Sequence, residues 1–405
     1  MKRFKKRLVS LFAFWMVLGS ISVSAAVFTP DIESQAALLV DLNTGRVLAD
    51  KNGEERLPIA SLSKMLVAYF IEEAVSKGDL SWDQQIELNP KLLEYSQDLE
   101  VSNVPLHKDE KYTVKDIMNA MMLPSSNSAT VILADLVAGD VAKYNTMANK
   151  KLASWGIKDA NWSSSTGLPV GALGPFEPTG FVEDDANSLS ARETAVVAGH
   201  LLHDYPEILD LTSQTSAKFP KGSEDAETLE NTNKLLSDTD YTVKGLKTGS
   251  LPDSGKSLVS TTTIKGVPVL SVVLNAPVDV DEEEVFTSSK ELWEQAYDSL
   301  DAKTIQKGTR LADVPDKNAE TGSVSVSVGT EKAYLLGKKE TEPVLKDANL
   351  TSEVPYKAGQ NVGHASWNFS DNDSLLTEFD QIDLQSDEDV SKANWFVRTW
   401  RGIVH

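Results

Sequence analysis

The chain of 405 residues contains no cysteine. A disulfide framework, a thiol nucleophile and a cysteine metal site are therefore excluded. Histidine is scarce: His107, His200, His203, His364 and His405 are the five present. Positive charge is also in deficit, with 39 Lys and Arg against 60 Asp and Glu, a formal net charge of −21. A surface this acidic repels phosphate backbones, so no nucleic-acid partner is expected. Internal repeats and long low-complexity tracts are lacking too. Apolar residues nevertheless make up 41% of the chain. That is enough to bury cores, and the length predicts two domains with short end segments.

The scarce cations are concentrated at the start. Lys2, Arg3, Lys5, Lys6 and Arg7 precede a nearly continuous apolar run from Leu8 to Val23, and Val23-Ser24-Ala25 offers small residues before Ala26. This three-part form is that of a secretory signal peptide over residues 1–25. The run is short for a membrane span. Removing the segment takes away five positive charges and no acid, moving −21 to −26.

From residue 27 to about 302 the pattern predicts one α/β domain. Ala36 to Lys51 reads as a hairpin around Asn43-Thr44-Gly45. Residues 61 to 77 read as a largely buried helix with Gly78 just past its end. Helices are also expected over Val114–Leu123, Ala129–Val137, Leu189–His203 and Glu282–Leu300, and adjacent antiparallel strands over Leu258–Thr263 and Val267–Leu274. From 303 to 380 a small β-domain is expected, since Gly322 to Gly329 alternates Ser and Val strictly, as a half-buried strand does. Further strand pieces are expected at Ala333–Leu336 and Glu353–Tyr356. Residues 387–405 form a tail in which Phe396, Val397, Trp400, Ile403 and Val404 share one helical side, opposite Arg398, Arg401 and His405. Such a helix fits a membrane interface; docking on the protein's own surface is the alternative.

Three short patterns carry chemistry. Ser61-Leu62-Ser63-Lys64 is the chain's one Ser-x-x-Lys. On a helix the serine and the lysine share a face. A serine hydroxyl needs a base to become a nucleophile, and lysine serves only if burial or a neighbouring cation lowers its pKa. Ser125-Ser126-Asn127, after Pro124, can send a hydroxyl and an amide into a cleft, or simply cap a helix. Lys247-Thr248-Gly249, followed by Ser250, falls on a strand. There the Gly allows close backbone approach, while Lys247 and Thr248 offer a charge and a hydroxyl to a carboxylate. His200 and His203, at i and i+3, have no evident third ligand, so neither metal nor cofactor is expected.

The ordered trio is the signature of penicillin-binding proteins and class A β-lactamases. Together with Asp41-Leu42-Asn43-Thr44-Gly45, Ser165-Thr166-Gly167-Leu168 and Asn231-Thr232-Asn233-Lys234-Leu235-Leu236, it makes residues 30 to 300 resemble the serine-type D-alanyl-D-alanine carboxypeptidases, peptidase S11-like low-molecular-mass penicillin-binding proteins. The resemblance implies a β-lactamase/DD-peptidase-like α/β (α+β) domain with an antiparallel sheet flanked by helices, followed by a small all-β domain and a membrane-associating tail. It further implies an exported enzyme, peripherally attached to the outer face of the cell membrane, that acts on peptidoglycan stem peptides and is inhibited by β-lactams. In the implied roles Ser61 is the nucleophile, Lys64 its base, and Ser125 a proton relay. Asn127 holds Lys64 and the substrate amide, Lys247 keeps Ser125 poised and attracts the substrate carboxylate, and Thr248 hydrogen-bonds that carboxylate. The backbone N–H groups of Ser61 and Ser250 form the oxyanion hole. Two departures stand out: Leu251 where many members carry a hydroxyl, and Thr232 where some carry Arg. A class A-like β-lactamase is the rival enzyme. However, the deacylating Glu that class requires is missing between Ser154 and Gly174, where Asp159 is the one carboxylate. A non-catalytic cell-wall-binding surface protein is the rival outside enzymes.

Overall fold

A computed structural model describes residues 26–404 apart from 253, 280, 282, 371 and 372. The expected signal peptide and His405 lie outside the described residues, as do the side chains of Ile403 and Val404.

The first domain is built on a five-stranded antiparallel sheet. Its strands are β1 (Ala36–Asp41), β2 (Val47–Lys51), β3 (Lys244–Leu251), β4 (Gly255–Ile264) and β5 (Val267–Ala276), in the order β2-β1-β5-β4-β3. Both faces are covered, which is why β1 reads as an unbroken apolar run. Leu38 and Val40 point into one core with Val272 and Leu274, while Ala37 and Leu39 point into the other with Val269 and Val273. The first core is closed by helices α1 (Lys64–Ser76), α2 (Val114–Met122), α3 (Asn127–Ala138) and α4 (Ala191–Asp204). The second is closed by α5 (Glu284–Ser299), which contributes Leu292, Trp293 and Ala296. The beginning of the first domain and strands late in it thus meet in one sheet, with α1 to α4 between them in the sequence.

The second domain holds β6 (Leu300–Ile305), β7 (Arg310–Pro315), β8 (Ser323–Val328), β9 (Lys332–Gly337), β10 (Val344–Leu350), β11 (Asn361–Asn368) and β12 (Gln381–Ser386). β6 pairs with β9, and the other five form a sheet ordered β7-β8-β12-β11-β10. The Ser/Val alternation of β8 places Val324, Val326 and Val328 in the core. Two expectations need correction. The β-region does not stop at 380, because β12 fills the place between β8 and β11. Glu353–Tyr356 is not a strand; only Tyr356 pairs, in a single bridge to Val390.

The domains are pinned by buried polar contacts. Leu335 N–H donates to Asp41 Oδ2 (2.8 Å), and Arg46, 1% exposed, pairs with Glu340 (2.6 Å). Arg192 grips Asp373 with both terminal nitrogens (2.9 and 2.8 Å) and Asp50 with Nε (2.7 Å). Leu376, between β11 and β12, is buried in the first domain's core. Burial raises the Asp41 carboxyl to about 6, against the hydrogen bonds it accepts. The tail forms α6 (Trp395–Val404), held to the β-domain by Arg401, whose Nη1 donates to Ala319 O (2.7 Å). Its Trp395, Phe396 and Trp400 are 62%, 76% and 67% exposed.

Candidate active site

The three patterns converge on one cleft of about 320 Å³, lined by Ser61, Ser125, Thr248 and Ser250 among others. Each arrives by a local device. Ser61 is not in α1 as the helical reading expected. It sits in the 3₁₀ turn Ala60–Ser63 that leads into the helix, with Leu62 N–H bonded to Ile59 O (3.1 Å). Ala60 carries a positive φ of 49°, a conformation costly for a residue with a Cβ. The turn is closely packed: a Cβ on Gly167 would lie 1.8 Å from Ala60 O and 2.6 Å from Ser63 Oγ. The Ser165-Thr166-Gly167 segment therefore lies directly on the turn, and only Gly fits there.

The second pattern divides its work. Ser126, the middle residue, is the N-cap of α3, accepting from Ala129 N–H (3.3 Å). α3 begins at Asn127, two residues before the expected start. Because Ser126 does the capping, its neighbours are left to reach the cleft. Ser125 has φ 68°, and Asn127 N–H is fixed by Ser102 O (2.7 Å).

The third pattern lies on β3, an edge strand. Gly249 is small for a reason different from the expected ligand approach. A Cβ there would meet Ile59 O at 2.9 Å and Ala60 Cβ at 3.3 Å, so the Gly lets β3 abut the Ser61 turn.

Lys64 is the hub. Its side chain is fully buried. Nζ lies 2.8 Å from Ser61 Oγ, 2.7 Å from Ser125 O, 3.1 Å from Ser125 Oγ and 2.8 Å from Asn127 Oδ1. Burial, and then the charge of Lys247, hold its pKa well below the ordinary lysine value. Burial alone brings Lys247 down to about 7. A neutral amine at Lys64 has two N–H bonds and one lone pair. Ser125 O and Asn127 Oδ1 can only accept, so they take the two hydrogens. The lone pair is left for the hydroxyls of Ser61 and Ser125, the two neighbours able to give a proton. Lys247 Nζ donates to Thr248 O (3.2 Å); it is Lys64 rather than Lys247 that reaches the Ser125 hydroxyl.

Asn187 was missed by the motif reading. Fully buried, it accepts from Ser163 N–H (2.8 Å) and Ser164 N–H (3.2 Å) and donates to Ser164 O (2.8 Å) and Ser63 Oγ (2.9 Å). It locks the Ser163–Leu168 segment to the Ser61 turn, and a lone Asn in a loop carries no sequence signal of that. His200 and His203 are remote from this chemistry. His200 stacks on Trp155 (centroids 4.3 Å apart) and faces Glu378, while His203 bonds Asp204. Among the described residues no cluster of three or more His, Asp or Glu side chains could hold a metal.

A serine beside a desolvated lysine, with a second hydroxyl and an amide converging on the same nitrogen, defines a serine acyl-transfer enzyme of the Ser-x-x-Lys class. The sequence model of that class described as D-alanyl-D-alanine carboxypeptidase, peptidase S11, matches residues 23–278, and that of the penicillin-binding protein 5 C-terminal domain matches 301–392. The chain belongs to the S11 D-alanyl-D-alanine carboxypeptidase family and is a serine peptidase. It is 26% identical to D-alanyl-D-alanine carboxypeptidase DacA of Haemophilus influenzae, over 98% of this chain and 96% of that protein. A solved structure from Streptococcus pneumoniae, described as a peptidoglycan synthesis regulatory factor (PBP3), matches with a TM-score of 0.78 and 27% identity, covering 89% of this chain and 99% of that one. Penicillin-binding protein D2 of Listeria monocytogenes, solved in its ampicillin-bound form, matches with a TM-score of 0.54 and 26% identity over 65% of this chain and 97% of that one.

Proposed function

We propose that the chain removes the terminal D-alanine from peptidoglycan stem peptides through an acyl-enzyme on Ser61. The observation that carries this is the hydrogen-bond set of Lys64. Neutral Lys64 takes the Ser61 proton as Oγ attacks the carbonyl between the two D-alanines. Backbone N–H groups of Ser61 and Ser250 receive the developing oxyanion; losing one such donor is typically worth about a hundredfold or more in rate. The proton passes from Lys64 through the Ser125 hydroxyl to the leaving amine, and D-alanine departs. Water then hydrolyses the ester, with Lys64 as base again. Asn127 fixes Lys64 and the substrate amide. Lys247 and Thr248 draw the terminal carboxylate.

The loop that faces the nucleophile's turn supports slow deacylation of penicillin, and so inhibition by β-lactams. It carries Ser163, Ser164 and Thr166 and, between 154 and 174, no glutamate to activate water. Labelling with a fluorescent penicillin tests this. A lasting adduct mapped to Ser61 is expected; rapid turnover without one would favour the β-lactamase reading.

We read the protein as exported and peripherally attached to the outer face of the membrane by α6. The exposed Trp395, Phe396 and Trp400 support this, and no helix among the described residues is long and apolar enough to cross a membrane. Truncation must fall after Asn394, because Val390 and Ala393 are buried in the β-domain. Loss of 395–405 is expected to abolish sedimentation with anionic vesicles and spare D-alanine release. Unchanged sedimentation would refute the role given to the tail.

A further inference from the structure

Two hydroxyls in the cleft face each other. Thr232 Oγ1 and Thr248 Oγ1 are 2.6 Å apart, at the short end for an O–H···O bond, and both line the cleft with Ser61 and Ser125. Thr232 is also tied to the segment that carries Ser125. Its backbone N–H donates to Leu123 O (3.1 Å), and its hydroxyl reaches the same oxygen (3.3 Å). A carbonyl only accepts. With Leu123 O accepting, the protons run in one direction, from Thr248 to Thr232 and from Thr232 to Leu123 O. A ligand at Thr248 lets this short chain turn outward. Because the 2.6 Å contact keeps one proton between the two oxygens, one hydroxyl at a time donates to the ligand while the lone pairs of the pair stay open to accept, and Leu123 O keeps the Thr232 N–H. A hydroxyl also accepts, which a guanidinium or ammonium cannot, so the pair can take a –CONH₂ group as well as –COO⁻.

We propose that Thr232 is a specificity-determining residue that forms with Thr248, beside Lys247, a two-hydroxyl clamp for the C-terminal group of the scissile peptide, accepting a carboxamide as well as a carboxylate. This rests on the proposed D-Ala-D-Ala chemistry and widens its substrate class to peptides whose last residue is not anionic. Nothing in the covalent steps requires Thr232, so its effect falls on recognition.

The test compares wild type, Thr232→Val, Thr232→Ser and Thr232→Arg on diacetyl-L-lysyl-D-alanyl-D-alanine and on its C-terminal amide, reading kcat/KM for release of D-alanine or D-alaninamide. The wild type is expected to cleave both within about tenfold of each other. Thr232→Val loses roughly tenfold or more on the carboxylate peptide and only a few-fold on the amide, because hydrogen bonds to charged groups are the stronger ones. Thr232→Ser keeps both activities. Thr232→Arg raises the carboxylate-to-amide ratio about tenfold or more. An unchanged Thr232→Val, an equal loss on both peptides, or a wild type that discriminates against the amide by more than about a hundredfold would overturn the proposal. A wild type inert on both peptides would instead sink the parent reading and this one with it, and the wild-type rates tell the two failures apart.

Discussion

Asn187→Ala offers a perturbation whose size follows from the structure. The side chain is fully buried and satisfies Ser163 N–H, Ser164 N–H and Ser164 O, besides the Ser63 hydroxyl. Truncation strands three backbone groups of the buried Ser163 and Ser164. A buried unsatisfied group costs about 1–3 kcal/mol, and a water entering the new cavity recovers part of that. A loss of about 3–5 kcal/mol is expected, large against a typical domain stability of about 5–15 kcal/mol. Guanidinium unfolding reads it as a lower midpoint at constant slope. The Ser61 turn keeps one tether, Ile59 N–H to Asn187 O (3.0 Å), so the variant should fold in mild conditions and still acylate. Penicillin acylation should be slower by about a hundredfold if the turn shifts by about 1 Å. A stability loss below about 1 kcal/mol would refute the reasoning, because it would mean that the Ser163–Leu168 segment does not depend on Asn187.

The pH dependence follows from the two lysines. In the proposed mechanism Lys64 acts when neutral, so kcat/KM rises as Lys64 loses its proton, and Lys247 attracts an anion when charged, a charge it loses above about 7. A bell with a limb descending above neutrality is expected for a carboxylate peptide, and a profile still rising at pH about 9 would contradict it. Gly249→Ala puts a Cβ 2.9 Å from Ile59 O; β3 must back away from the Ser61 turn, and acylation should fall by about tenfold to a hundredfold while circular dichroism stays unchanged. Arg192→Ala removes the bidentate partner of Asp373, 5% exposed, and should cost about 2–4 kcal/mol. Calorimetry should then show the two domains melting apart, and an unaltered single transition would refute the pinning role.

Much of this arrangement can be read in the sequence where local rules decide. The hairpin turn, the Gly after α1 and the Ser/Val alternation of β8 are short-range signals, and each falls on the element it predicts. The motifs also converge: Ser61, Lys64, Ser125 and Asn127 meet within 3.1 Å of one nitrogen. What is illegible depends on contacts distant in sequence. Nothing near Gly249 announces that Ile59 O will lie against it, and nothing near Asn187 announces Ser63. Two adjacent serines can each cap a helix, and the Ala129 N–H bond to Ser126 Oγ is what separates them. The β-domain's edge was misplaced because β12 follows a long loop and belongs between two strands that precede it.

The most direct measurement is D-alanine release from a D-Ala-D-Ala peptide by wild type and Ser61→Ala side by side. The account predicts release by the wild type and none above background from the variant, even though the variant's cleft keeps Lys64, Ser125 and Lys247 in place. Release that survives the substitution would contradict an acyl-enzyme on Ser61, and with it the whole assignment of Lys64 as its base.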